Sequence, residues 1–112
     1  KEAGGYCTGI LDYGVPFIFA NFNGTQHDVE VITHEAGHAF ACYTNRDRVP
    51  IESIWPSLEA CEVHSMSMEF FAWRNAEGFF GSDARKFRYG TIRCAYIYPL
   101  RNHGRSLPAQ GV

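Results

Sequence analysis

The sequence predicts a mainly α fold with a small β-sheet. Two short apolar runs near the start are each closed by a glycine-containing turn, which reads as a pair of strands. A segment from about residue 26 to 43 opens with a capping box, and a second from Ser57 to about Asn75 repeats apolar and small residues every three or four positions. At 112 residues, with 46% apolar, 15% aromatic and 20% charged, the chain has the make-up of one packed domain or a piece of one. A formal net charge of -2 offers no basic field, so neither nucleic acid nor an anionic membrane surface is an expected partner. No apolar run approaches the roughly 18 residues that span a bilayer, and the N-terminal residues lack the order of a signal peptide.

Lys1 to Gly5 reads as a turn or loop leading into a strand over residues 6–11. Asp12-Tyr13-Gly14 makes a turn, and Val15 to Phe22 forms a second strand bounded by Asn23-Gly24. Pro16 near its start suits a strand that need not donate there, and the first strand is its expected neighbour.

Thr25 is the expected N-cap of the first helix, with Asp28 at the third helical position ahead of Val29, Val31 and Ile32. Thr44-Asn45, the charged run at 46–48 and Val49-Pro50 signal its end. In mid-helix stands His34-Glu35-Ala36-Gly37-His38, the pattern H-E-x-x-H. Residues four apart lie one above the other, so His34 and His38 present two imidazoles to one point. Glu35, turned about 100° from His34, stands beside that point. Neutral imidazoles suit a zinc ion, which acidifies a bound water whose proton a flanking carboxylate can take. One Zn2+ held by His34 and His38, with Glu35 as general base, is therefore the expected centre of a hydrolytic site.

Ser57, after Trp55-Pro56, is the expected N-cap of the second helix, in which Leu58, Cys61, Ser65, Met68 and Phe71-Ala72 form the repeat. Glu59, Glu62 and Glu69 share one side of it, a like-charge row that calls for a cation or donors. A catalytic zinc needs three protein ligands and an open position. The histidine-terminated extension of the motif is excluded, because Ala41 and Thr44 hold its glycine and histidine positions. A carboxylate from the neighbouring helix is then the expected third ligand; Glu52, Glu59 and Glu62 are within reach, and spacing does not choose between Glu59 and Glu62. His27 and His64 have no metal spacing and read as structural or surface histidines. Cys7, Cys42, Cys61 and Cys94 form no C-x-x-C pair; free, mostly buried thiols and a reducing, cytoplasmic location are expected.

The segments Val15 to Thr25, His34 to Phe40 and Glu59 to Phe71 together resemble the thimet oligopeptidase and oligoendopeptidase F family of zinc peptidases, most of all its oligoendopeptidase F side. The resemblance covers roughly residues 3–90, and three ordered blocks are far more specific than the five-residue motif alone. It implies a zincin-like core within a mostly helical clamshell whose deep channel admits short peptide substrates and excludes folded proteins. It also selects Glu62 as the third zinc ligand beside His34 and His38, and Glu35 as general base. Glu59 and Glu69 become candidates for orienting a ligand histidine. The aromatic strand would border the cleft and pair with substrate backbone.

After Lys86-Phe87-Arg88-Tyr89-Gly90 the resemblance stops, so residues 1–90 read as a catalytic-core fragment and 91–112 as a divergent tail. Suitable codons for Leu100 to Gly104, read one nucleotide later, give Tyr-Gly-Thr-Met-Val, which resembles the family's continuation; an out-of-frame tail is therefore expected. The alternative is divergence, with Arg101, His103 and Arg105 as an exposed basic tail. The tyrosines and histidine with which the family polarises the substrate carbonyl have no counterpart at a matching position here, and the remainder of the catalytic domain is expected to be missing. The expected function is zinc-dependent endopeptidase chemistry on oligopeptides; the alternative is a zinc-binding core without independent catalysis.

Overall fold

The computed structural model of the chain describes residues 4–93. Cys94, the basic tail residues and the expected out-of-frame segment from residue 94 onward lie outside them. The described residues divide into two compact units, the first ending at Trp73 and the second beginning at Arg74.

In the first unit, β1 (Gly5–Ile10) and β2 (Val15–Ala20) pair antiparallel, with Gly5 opposite Ala20 and Ile10 opposite Val15. A 3-10 turn at Leu11–Tyr13 joins them through Gly14, whose φ of 61° is the left-handed conformation that glycine adopts without penalty. β2 ends at Ala20, short of Phe22: Asn21 N–H still donates to Gly4 O at 2.9 Å, but the chain then leaves the ladder. Side chains alternate across the hairpin. Tyr6, Phe17 and Phe19 form an exposed aromatic face, Tyr6 stacked on Phe19 at 5.5 Å, while Cys7, Gly9, Pro16 and Ile18 on the other face are half-buried.

α1 (Gln26–Asn45) packs against both strands. Its first turn is fixed by Asp28, whose carboxylate accepts from the backbone N–H groups of Asn23, Gly24 and Thr25 at 2.9, 2.6 and 2.9 Å. Desolvation opposes its ionised form, but those donors prevail and hold the carboxyl below its usual range. Glycines in β1 let the sheet approach. A Cβ on Gly5 would stand 2.7 Å from Phe19 O and 2.7 Å from Val31 Cγ1, and one on Gly9 would stand 3.0 Å from Cys42 Sγ.

A 3-10 turn at Ile51–Ile54 buries Ile54 and leads to α2 (Leu58–Ala72). Ser57 caps α2 by accepting from Ala60 N–H at 3.4 Å. The helix stops at Ala72 and tightens into a 3-10 turn at Trp73–Asn75, three residues short of the sequence expectation. Its apolar repeat is only partly a core face: Ser65 is fully buried, whereas Leu58 is 84% and Phe71 70% exposed. The reason is a backbone-to-backbone contact between the helices. A Cβ on Gly37 would lie 2.6 Å from Ser65 Cα and 2.8 Å from His64 O, so α1 and α2 touch through a glycine and a small residue. His34 meets Glu69 while His38 meets Cys61, so the two helices run antiparallel.

In the second unit, α3 (Ala76–Phe80) and α4 (Ala84–Ile92) are joined by a 3-10 turn at Gly81–Asp83. Phe87 is buried with its ring 4.5 Å from that of Phe80, and Arg88 Nη2 donates to Glu77 Oε1 at 2.6 Å. Among the described residues, no helix is long and apolar enough to cross a membrane.

Candidate metal centre

The mid-helix position of His34 and His38 gives their rings a common outlook, with centroids 4.9 Å apart and planes 79° apart. α2 answers with Glu62. His34 Nε2 is 3.2 Å from Glu62 Oε2 and His38 Nε2 is 3.9 Å from Glu62 Oε1. One donor atom from each of the three residues lies within 4.8 Å of the others. Ligand atoms on a tetrahedral zinc stand roughly 3.3 Å apart, given bonds of about 2.0–2.1 Å. The donor set, two imidazole nitrogens and a carboxylate oxygen, fits zinc or a similar borderline divalent ion.

Each of the three residues has a supporting partner. Glu69 Oε1 lies 2.7 Å from His34 Nδ1; a carboxylate accepts only, so the ring donates from Nδ1 and turns Nε2 towards Glu62. Cys61 Sγ lies 3.1 Å from His38 Nδ1. The buried Ser65 hydroxyl lies 3.0 Å from Glu62 O and 3.2 Å from Glu62 Oε2, and so can donate to the carboxylate it sits beneath.

The electrostatics follow from these contacts. The hydrogen bond to Glu69 raises the pKa of His34 above its ordinary value of 6.5; burial opposes this, and the charges of Glu69, Glu62 and Glu35 reinforce it. Burial, with Glu62 and Glu35 nearby, likewise pushes the Cys61 thiol up. Cys7 is pushed up to about 11 by burial first, then by Cys42, Glu35 and Cys61. Cys7, Cys42 and Cys61 are free thiols, of which Cys42 is buried and the other two half-buried. Glu35 is only 8% exposed and leans against β1, where a Cβ on Gly5 would come within 3.3 Å of its Cγ.

Glu52, His27 and His64 fall elsewhere. Glu52 is exposed in the 3-10 turn before α2, and the side chain of Glu59 lies outside the described set. His27 is exposed and pairs with Glu30 at 3.2 Å. His64 is exposed and helps line a cavity of about 510 Å³, together with Gly37, Phe40, Met68 and Phe71. None of His34, His38 and Glu62 lines that cavity, so its size does not mark the chemistry. The aromatic side chains of β2 lie on the exposed face of the hairpin, and the half-buried face is the one that packs on α1. Cys61 and Ser65 were legible only as members of an apolar repeat; the available signal was their place on the same turns as Glu62.

The sequence model of peptidase family M3 matches residues 1–86. No curated protein matches. Among solved structures, a protein described as an oligoendopeptidase F from Bacillus anthracis str. Ames is 54% identical with a TM-score of 0.79 over 85% of this chain and 18% of its own. A second structure described as oligoendopeptidase F is 56% identical with a TM-score of 0.80, and a PZ peptidase A solved with an inhibitor is 52% identical, also at 0.80. Each of these two aligns over 88% of this chain and 17% of its own. The chain thus spans less than a fifth of the length of the solved relatives it matches.

Proposed function

Because the chain belongs to peptidase family M3, we propose that it carries the catalytic core of a zinc-dependent endopeptidase for short oligopeptides, with His34, His38 and Glu62 holding one zinc ion and Glu35 as general base. The supporting observation is the convergence of two imidazole Nε2 atoms and one carboxylate from two helices on a single point. A zinc ion bound there supplies a Lewis acid for the scissile carbonyl and lowers the pKa of a bound water towards neutrality.

The chain's own residues do the rest. Glu35 accepts a proton from the attacking water on a carboxylate oxygen and returns it to the leaving amine nitrogen. Its burial against β1 limits the freedom of the side chain. Glu69 fixes the His34 ring, and the Ser65 hydroxyl steadies Glu62. An extended peptide pairs through its backbone with an edge of the sheet, two-stranded among the described residues, which supplies binding without reading side-chain identity. The free thiols suit a reducing compartment, in keeping with a cytoplasmic enzyme.

A second reading, carried by the same donor set, is a core that binds metal without turning over peptides. Zinc titration of the chain and its Glu62→Ala variant, alongside hydrolysis of a quenched fluorescent oligopeptide, tests both. The first reading expects one zinc per chain, lost in Glu62→Ala, and hydrolysis that depends on it. Zinc uptake without hydrolysis favours the second, and undiminished zinc in Glu62→Ala overturns the ligand assignment.

A further inference from the structure

The second nitrogens of the two metal-facing rings are held by different chemistry. His34 Nδ1 faces a carboxylate, Glu69, at 2.7 Å, whereas His38 Nδ1 faces the sulfur of Cys61 at 3.1 Å. A neutral imidazole that offers Nε2 to a metal carries its proton on Nδ1, and that proton needs an acceptor. A carboxylate can play no other part, but a thiol can donate or accept. The placement decides how the thiol is used. Cys61 and Glu62 are consecutive on α2, and the His38 ring lies across both, with Nδ1 at Cys61 and Nε2 3.9 Å from Glu62 Oε1. The His38 side chain is only 12% exposed, so water is a poor substitute for that partner.

We propose that Cys61 is a positioning residue for the metal centre: its sulfur accepts the hydrogen bond from His38 Nδ1–H, which locks the ring and leaves the Nε2 lone pair facing the space shared with His34 Nε2 and Glu62. The proposal deepens, and rests on, the reading of His38 as a metal ligand. One turn of α2 then delivers both a ligand and the anchor of another ligand. The two histidines are not equivalent: His34 is backed by an anion and His38 by a neutral, polarisable sulfur.

The test uses the 112-residue chain and its Cys61→Val and Cys61→Ser variants, valine removing the acceptor and serine keeping a weaker-reaching one. Two-bond proton–nitrogen correlations of the histidine rings, recorded without metal at alkaline pH, report which nitrogen of His38 is protonated. The expected result is the Nδ1–H tautomer in the parent chain, lost in Cys61→Val and partly kept in Cys61→Ser. Zinc competition against a chromophoric chelator should show the dissociation constant rising about tenfold in Cys61→Val, with Cys61→Ser between, in line with the effect of groups that support a ligand. Far-UV circular dichroism separates this from a general loss of fold, which a serine rescue would not accompany. An Nε2–H tautomer in the parent chain, or equal zinc affinity for the parent and a folded Cys61→Val chain, overturns the proposal. A parent chain that takes up no zinc overturns the ligand reading instead, while the ring tautomer still decides the Cys61 contact.

Discussion

Glu69 Oε1 stands 2.7 Å from His34 Nδ1, seven residues along α2 from the Glu62 carboxylate that approaches the same ring at Nε2 from 3.2 Å. One imidazole is thus clasped at both nitrogens by two carboxylates of one helix. Removing the outer one should leave the inner ligand in place but free the ring to turn. Glu69→Ala is expected to weaken zinc binding by about tenfold or more, and Glu69→Gln, which retains an acceptor oxygen, by less. A chelator competition series measures both, and equal affinities across the three chains would remove the role assigned to Glu69.

The same clasp sets a pH dependence. The folded, metal-free pKa of His34 lies above its ordinary 6.5, chiefly through the Glu69 hydrogen bond. The stability this pair contributes is therefore fully present below 6.5 and is lost as pH rises through the raised folded value. Zinc needs the neutral ring, so binding should release more proton than a histidine at its ordinary value would, and affinity should fall with acid from a higher pH than for an isolated histidine. Calorimetry in two buffers of different ionisation enthalpy counts that proton; a count of zero at neutral pH would contradict the assignment.

Glu35→Gln should keep the fold and the metal while abolishing peptide hydrolysis, because the amide occupies the same volume but cannot take a proton. Zinc titration and a peptide assay on one preparation suffice. Hydrolysis at the parent rate would transfer the base role to another group.

Gly37→Ala pits two effects against each other. Alanine gains about 1 kcal/mol of helix propensity over glycine in a helix interior. Against that, its Cβ would lie 2.6 Å from Ser65 Cα and 2.8 Å from His64 O, backbone atoms that yield only if α2 moves. Overpacking of this kind costs about 1–3 kcal/mol, so net destabilisation is expected, together with weaker zinc binding as Glu62 retreats. Denaturant midpoints and zinc affinity are the two readouts, and a more stable variant with intact affinity would refute the account.

Much of this was legible beforehand for definable reasons. The capping box at Thr25 and Asp28, the turns at Gly14 and Asn23-Gly24, and the cap at Ser57 are local chemistry, and they place α1, α2 and the hairpin to within a few residues. The gathering of His34, His38 and Glu62 needed helix geometry plus a family resemblance, since spacing alone left Glu59 open. Cys61 and Ser65 stayed hidden because periodicity assigns a residue to a face and not to a partner. Which atoms they meet depends on how closely and at what rotation α2 rests on α1, and that is set by the missing side chain at position 37. The exposed Leu58 and Phe71 show the same thing in reverse: their spacing matches a core stripe, but the rotation turns them out.

The direct backbone contact at Gly37 and Ser65 also bears on how the protein opens. Helices separated by long side chains can drift apart by degrees while rotamers adjust, but helices in contact through bare backbone are either docked or apart. α1 and α2 should therefore exchange their central amide hydrogens as one cooperative block, released together. An ion bridging His38 and Glu62 would slow that release in both helices at once, so protection far along α2 would register whether the centre is occupied.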